Sequence, residues 1–369
     1  MLDAQNEPTK DIVSIATGGG KSHVIAEFAK EIDSHILIIQ PSREILSQNL
    51  SKIKNLTQDK VGVYSASFKK KEVKKITFST IQSIYKKPEL FNQFKYIIID
   101  EVQKYNKQGM FDQFIKKLNN PKVYGLTASP FRHVVKKSFS LKTRRTTVTS
   151  VLRMLTQEGF DRIIHVTNAD ILVEQGYLTP LIYKTDVDSP ANFKLNTDKK
   201  IIDDFKLDLT FSNYEIVKKV LANIKGPTIV FTPDVDSARM LSNITPNSEY
   251  VSGKTPNKQR KQIIEDFKTD KTQILFNSNI LTIGFDYPAL QNIILVRPTK
   301  SLILWQQIVG RLQRLHPNKT HGTIYDLTGT KKFLGKAENI RVLKDENSKW
   351  NVKSGGRWYR DRIMSYHVV

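Results

Sequence analysis

Cysteine is absent altogether, and its absence excludes disulfides, thiolate zinc sites and cysteine nucleophiles while fitting a reducing compartment. Histidine is sparse: 7 residues lie scattered with no HExxH or comparable ligand spacing, so no zinc is expected. Long apolar runs are missing too. The stretches over 36–39 and 96–99 are far too short to cross a bilayer, and the start lacks the charged-then-apolar shape of a signal peptide. A soluble, intracellular protein is the expectation. Negative charge is in deficit, with 36 acidic residues against 58 Lys and Arg and a net charge of +22 spread through the sequence. A polyanion such as nucleic acid is the natural partner of such a surface. A generally Lys-rich composition produces the same excess, so charge alone leaves the partner open.

What is present is an alternation of short apolar runs with amphipathic stretches, the pattern of parallel α/β sheets. At 369 residues and 39% apolar content the chain suits two domains. Strands are expected over 12–16, 36–40, 76–79, 96–100 and 123–127. Each ends in small or polar residues, which places the informative side chains at carboxyl ends of strands, where open α/β sheets gather ligands. The polar, weakly periodic stretch near 186–208 reads as a linker. Alternation then resumes with strands over 228–232, 250–252, 273–277, 292–296 and 323–326 and helices over 235–243 and 257–268. The resulting division is a first domain over 1–185, the linker, a second domain over 209–346, and a basic, aromatic tail or small appendage over 347–369.

After the first strand comes Ala16-Thr17-Gly18-Gly19-Gly20-Lys21-Ser22, which looks like a P-loop. Glycines let backbone N–H groups curl around phosphate oxygens, Lys21 reaches the outer phosphates, and the Ser22 hydroxyl ligates Mg2+. Ile15 stands where the general pattern has its first glycine. The run 96–99 delivers Asp100 and Glu101 at its tip, and a buried strand has no structural use for two adjacent charges there. They suit phosphoanhydride hydrolysis, with Asp100 holding Mg2+ and Glu101 orienting and deprotonating the attacking water.

Taken in order, these motifs resemble those of the superfamily 2 helicases, a family of two tandem RecA-like domains, each a mostly parallel sheet flanked by helices, with an ATP cleft between them. Asp100-Glu101-Val102-Gln103 is similar to the DExH/D box, with Gln103 in place of the usual His or Asp. Leu126-Thr127-Ala128-Ser129-Pro130 resembles motif III, so the likeness implies that Gln103, Thr127 and Ser129 couple the nucleotide state to nucleic-acid binding. Gln40-Pro41-Ser42-Arg43-Glu44-Ile45-Leu46 resembles motif Ia and Phe78-Ser79-Thr80-Ile81-Gln82-Ser83 the motif after it, implying backbone contacts from Ser42, Arg43, Thr80 and Gln82. In the second half Ile229-Val230-Phe231-Thr232 resembles motif IV and Val251-Ser252-Gly253-Lys254 the small motif that follows. The segment 277–286 is similar to motif V, with Thr282 at the strand and Gly284 and Asp286 near the nucleotide. Gln307-Ile308-Val309-Gly310-Arg311-Leu312-Gln313-Arg314 fits QxxGRxxR of motif VI, with Gln307, Arg311 and Arg314 as catalytic groups on one helix.

The resemblance implies an ATP- and Mg2+-dependent motor that binds nucleic acid through its backbone, with little sequence preference. Within the superfamily, Gly176-Tyr177-Leu178-Thr179-Pro180, the GFDYP over 284–288 and Asp326-Leu327-Thr328-Gly329 look like the phage UvsW-type and bacterial RadD-type branch. That implies DNA before RNA, branched or forked substrates in repair, recombination or replication, and a bacterial or phage-infected cell. An RNA helicase of the same superfamily and an ATP-switched binding subunit are the alternatives. Two departures stand out. The family's adenine-reading aromatic and Gln segment has no clear counterpart before Lys21, where Gln5 lies too close. The basic segment 132–145 reads equally as a duplex contact and as a solvated loop.

Overall fold

The computed structural model describes residues 8–54, 61–140, 145–184, 211–278, 285–299, 301–359 and 364–368. In chain order the elements up to the linker region are β1 (Lys10–Ile15), α1 (Lys21–Glu31), β2 (Ile36–Gln40), α2 (Arg43–Lys54), β3 (Val61–Ser65), β4 (Lys70–Lys71), β5 (Ile76–Thr80), α3 (Ile81–Ile84), β6 (Tyr96–Asp100), α4 (Met110–Ile115), β7 (Lys122–Thr127), β8 (Phe131–Ser140), β9 (Arg145–Met154), β10 (Arg162–Thr167), α5 (Ala169–Glu174) and β11 (Leu181–Lys184). Beyond it follow α6 (Phe211–Ala222), β12 (Thr228–Phe231), α7 (Val235–Ile244), β13 (Ser248–Val251), α8 (Asn257–Lys268), β14 (Ile274–Asn277), β15 (Asn292–Leu295), α9 (Leu302–Val309), β16 (Gly322–Asp326), α10 (Thr330–Leu334), β17 (Arg341–Lys344), β18 (Trp350–Ser354), β19 (Arg357–Trp358) and β20 (Met364–Val368). Among the described residues no helix is long and apolar enough to cross a membrane.

Two compact units emerge. One comprises Met1–His133, Leu152–Asn168 and Val342–Asn351, and the other Val134–Val151, Ala169–Arg341 and Val352–Val369. The first carries an eight-stranded sheet of order β10-β1-β7-β6-β2-β5-β3-β4, parallel except where β4 meets β3. Its central strands are buried from end to end, as in ILIIQ of β2, because helices cover parallel sheets. Ile25, Ala26 and Ala29 of α1 and Leu46, Leu50 and Ile53 of α2 pack on Ile36, Ile38, Phe78 and Ile98 of that sheet. The second unit holds a six-stranded sheet of order β11-β16-β15-β12-β14-β13. Its core joins Val217, Val220 and Leu221 of α6 and Ala238 and Leu241 of α7 to Val230, Phe276 and Ile294.

Several elements differ from the sequence reading. β11 pairs with β16 in the second sheet, and the residues from Ala169 to Lys184 belong to the second unit, whereas the sequence reading carried the first domain to residue 185. β3 was not anticipated: VGVYS contains Gly62, where an added Cβ would lie 2.7 Å from the Glu72 carbonyl oxygen. The glycine that hides the strand from a propensity reading is what lets the neighbouring backbone approach. The basic segment 132–145, open between a duplex contact and a solvated loop, falls largely in β8, which belongs to a small sheet of order β20-β9-β8. The linker 186–208 and Gln5 lie outside the described residues.

Candidate active site

The loop after β1 forms because glycines accept backbone angles that other residues avoid. Gly18 and Gly20 have φ of 83° and 92°, and Gly19 N–H donates to the Ala16 carbonyl at 2.9 Å. Gly20 is the residue before α1, and an added Cβ there would meet nothing within 4 Å. Its requirement is therefore conformational and not steric. Helix α1 opens immediately on Lys21 and Ser22, so the unpaired N–H groups of its first turn and its positive end face the glycine turn. Ile15, in place of the first glycine, is the buried last residue of β1. The backbone there is still strand and needs no glycine.

Asp100 ends β6 buried, and Ser22 reaches it through a residue that sequence reasoning missed. The Ser22 hydroxyl donates to Asn49 Oδ1 at 2.6 Å, and Asn49 Nδ2–H donates to Asp100 Oδ2 at 3.3 Å. Asn49 sits on α2 at 3% exposure. One amide thus spaces the two oxygens assigned to Mg2+. Nothing in the sequence flagged it, because a single Asn on an amphipathic helix reads as solvent face. Glu101 follows in the left-handed region at φ 52° and ψ 48°, a conformation that costs a non-glycine residue on the order of 1 kcal/mol. The turn is held by Glu101 N–H donating to Asp100 Oδ1 at 2.9 Å. It aims Glu101 at the P-loop, where its Oε1 stands 3.7 Å from Lys21 Nζ.

The other Glu101 oxygen accepts from Gln103 Nε2–H. Gln103 Oε1 in turn accepts the Thr127 hydroxyl at 2.6 Å, and Thr127 Oγ1 accepts the Ser129 N–H at 2.9 Å. A continuous chain of hydrogen bonds therefore runs from Glu101 through Gln103 to Thr127 and Ser129, the residues assigned to coupling. A cavity of 370 Å³ opens beside Asp100 and Glu101, with Gln82, Lys104 and Met110 among its walls. Ser42 accepts from the Ile45 N–H at 3.4 Å at the start of α2. The Arg43 guanidinium lies 5.1 Å from the Phe68 ring, and the Thr80 and Ser83 hydroxyls are 3.0 Å apart.

Burial pushes the Asp100 carboxyl up to about 7, and Glu101 adds to the rise against Lys21, the Glu101 N–H and Asn49. A carboxyl raised above its unfolded value gives its stability at low pH and loses it as pH climbs through the folded value. Metal-free protein therefore holds an ionised Asp100 at a cost above about pH 7, a cost that a bound divalent cation removes. The thermal gain on adding Mg2+ with nucleotide is expected to be larger at about pH 8 than at about pH 6. In Asp100→Asn the difference should vanish. An equal gain at both pH values in the parent protein contradicts this assignment.

In the second unit, Arg311 is 6% exposed and donates to the Phe285 carbonyl. Arg314 donates to the Asp286 carboxylate and, at 3.5 Å, to the same Phe285 carbonyl. Burial pushes Arg314 down to about 10, which leaves it charged at neutral pH. The expectation of both arginines on one helix is corrected. α9 stops at Val309 with Gly310 as its C-cap, and the arginines lie in the turn beyond. Gln307 is on the last turn of α9, half-buried. Lys319, also missed, is buried and donates to the carbonyls of Pro288, Leu290 and Leu312 at 2.7, 3.2 and 3.0 Å. Its ammonium ties the segment after Asp286 to the arginine turn. Lysine before a polar turn carries no signal of such burial.

Thr232 and Ser252 are buried, and their hydroxyls are engaged within their own loops. Thr232 Oγ1 donates to the Asp234 carbonyl at 3.0 Å, and Ser252 Oγ accepts the Lys254 N–H at 3.3 Å. Gly253 is exposed with nothing within 4 Å of an added Cβ. Thr282 and Gly284 lie outside the described residues.

A glycine turn at a helix start, an acid pair at the tip of a strand in the same parallel sheet and a second parallel α/β unit define a fold of two tandem RecA-like domains. The family described as "Type III restriction enzyme, res subunit" matches residues 2–132, and "Helicase conserved C-terminal domain" matches residues 212–316. The chain belongs to the superfamily 2 helicases, a class of ATP-dependent enzymes. It is 25% identical over 368 residues to a Saccharomyces cerevisiae protein that carries an ATP-dependent helicase name, IRC3, covering 89% of this chain and 50% of that one. A 51.5 kDa protein of Lactococcus phage (isolate 7-9) is 23% identical, with 82% and 62% covered. The chain thus spans half to about three-fifths of the length of these relatives. Among solved structures, the ATP-dependent Type ISP restriction-modification enzyme LlaBIII bound to DNA is similar with TM-score 0.60 and 17% identity, over 87% of this chain and 26% of that one. Saccharomyces cerevisiae Dbp5 bound to RNA and ADP BeF3 is similar with TM-score 0.55 and 14% identity, over 89% and 84%.

Proposed function

We propose that this chain is an ATP-driven motor that moves along nucleic acid and acts on branched or forked DNA. The observation that carries the ATPase half is the Ser22–Asn49–Asp100 chain beside the Lys21–Glu101 pair. The donor set fits a magnesium nucleotide. Among the described residues no cluster of three or more acidic or His side chains stands ready for a metal, and Mg2+ carried by phosphates needs only a carboxylate and a hydroxyl from the protein. Ser22 and Asp100 would hold Mg2+, which would supply positive charge to the phosphate oxygens. Thr17, Gly18, Gly19 and Gly20 offer backbone around the phosphates, and Lys21 moves from Glu101 to the outer phosphate. Glu101, released from that pair, orients water and takes its proton.

Arg311 and Arg314, with Gln307 beside them, would supply positive charge to the transferring phosphoryl group, and this reading links turnover to motion through their turn. Asp286 and Gly284 serve the same nucleotide, and Gln103, Thr127 and Ser129 pass its state to the strand-binding loops. Ser42, Arg43, Thr80, Gln82, Gly253 and Thr282 grip the backbone, with Thr232 and Ser252 shaping their loops. A net charge of +22 supports the polyanionic track. The GYLTP and GFDYP segments support DNA over RNA and branched over linear substrates.

The test compares ATPase stimulation by single-stranded DNA, forked DNA and RNA at one salt concentration. Forked DNA is expected to stimulate most. Stimulation by RNA alone overturns the DNA assignment, and no stimulation by any of the three overturns the motor.

A further inference from the structure

The basic, aromatic end of the chain lies beyond the C-terminal helicase match, and part of it from Val352 on forms a hairpin in the second unit. β18 and β19 pair antiparallel, with Lys353 opposite Trp358 and Ser354 opposite Arg357. Between them Gly355 and Gly356 have φ of 53° and 74°, the left-handed pair of a tight hairpin turn. That turn is fastened to the loop after α10. The Ser354 hydroxyl donates to the Leu334 carbonyl at 2.5 Å, and an added Cβ at Gly335 would lie 2.8 Å from Gly355 N. The Gly335 carbonyl accepts the indole N–H of Trp305 at 3.0 Å, and Trp305 is fully buried. The hairpin turn is therefore held against the loop after α10 by the Ser354 hydroxyl and by close backbone packing at Gly335 and Gly355.

What it presents to water is an aromatic ring among cations. Trp358 keeps 39% of its surface exposed, with Lys353 Nζ 5.4 Å from its ring. Arg357 beside it is exposed. On the other side of the Gly335–Gly355 contact, Lys332, Phe333 and Lys336 are exposed as well. Glu338, the next acid along this segment, is engaged by the Tyr183 hydroxyl at 2.6 Å. The segment that bears Lys332 and Lys336 starts at the carboxyl end of the second unit's sheet. α10 leaves the carboxyl end of β16, which runs parallel to β15, as β15 does to β12. The Thr299 N–H, just past β15, donates to Thr330 Oγ1 at 3.2 Å.

A solvent-facing indole with a lysine over its ring and an exposed arginine next to it in the strand is a combination that stacks an unpaired base while neutralising its phosphates. We propose that this hairpin is an auxiliary site for single-stranded nucleic acid, with Trp358 stacking on a base and Lys353 and Arg357 meeting phosphates. The proposal rests on the nucleic-acid track above and adds a second point of grip, separate from the strand-binding motifs. Such a grip tolerates any sequence and disfavours blunt duplex, whose bases are already stacked.

The experiment measures binding of a fluorescent single-stranded oligonucleotide to the full chain and to Trp358→Ala, Trp358→Phe and Arg357→Gln. Loss of one stacked base is expected to weaken Trp358→Ala about five-fold or more, since such stacking contributes roughly 1–3 kcal/mol per base. Trp358→Phe should bind nearly as the parent does, and Arg357→Gln should flatten the salt dependence by about one phosphate contact. Nucleic-acid-independent ATPase and thermal midpoint should be unchanged in all three. Parent-like binding by Trp358→Ala overturns the auxiliary site and leaves the motor standing, whereas a parent chain that binds no oligonucleotide overturns both.

Discussion

Glu101→Gln is expected to lower nucleic-acid-stimulated ATP turnover by about 10²–10⁴-fold, the range over which a positioned general base contributes, while ATP still binds. The substitution keeps size and removes the basic oxygen. Glu101 now stands 3.7 Å from Lys21, so the neutral amide also frees that lysine for phosphate and should leave nucleotide affinity equal or tighter. Gln103 donates one amide N–H to Glu101, and its own oxygen already accepts the Thr127 hydroxyl. The new side chain can offer its carbonyl to Gln103 without disturbing Thr127, so the fold of the loop should persist. Equilibrium binding of a fluorescent ATP analogue, single-turnover hydrolysis and a melting curve separate these effects. Turnover within about ten-fold of the parent means that Glu101 is not the base, and loss of nucleotide binding means that its role is structural.

The parts of this molecule that sequence pattern made legible are those in which one physical demand acts alone. β2 and β6 coincide with the expected runs over 36–40 and 96–100, and α8 with 257–268, because continuous apolar strands and amphipathic helices state their burial outright. The turn at Gly18 and Gly20 is equally direct, since left-handed backbone leaves its mark as glycine. Elements set by tertiary partners were harder to read. β10 alternates in burial and pairs with β1, and RIIHVT is too short to declare which neighbour it will find. Gly310 reads as a flaw inside a helix until α9 is seen to stop there. Asn49 and Lys319 are polar residues whose burial comes from what lies opposite them, three-dimensional facts that their neighbours in sequence do not encode.

Arg311 carries the second large expected effect. Arg311→Ala should reduce stimulated turnover on the order of 10³-fold, the loss associated with removing an arginine from the transferring phosphoryl group, with little change in the ATP concentration needed for half-maximal rate. Binding groups for the nucleotide, Lys21, Ser22 and Asp100, lie in the first unit, so ground-state affinity should survive. Arg311→Lys should recover little, because an ammonium keeps the charge and loses the planar fork that serves two acceptors at once. A competing explanation is that the buried guanidinium simply holds its turn to the Phe285 carbonyl. Leaving that acceptor without this donor would cost about 1–3 kcal/mol and lower the thermal midpoint of the variant. The two explanations part below the melting transition. A structural arginine predicts folded enzyme that turns over nearly normally in the cold, and a catalytic one predicts folded enzyme that binds ATP and stays inert. If Arg311→Ala and Arg311→Lys both turn over within about ten-fold of the parent there, the positive charge that completes the phosphoryl site comes from elsewhere, and the link between hydrolysis and motion through this turn fails with it.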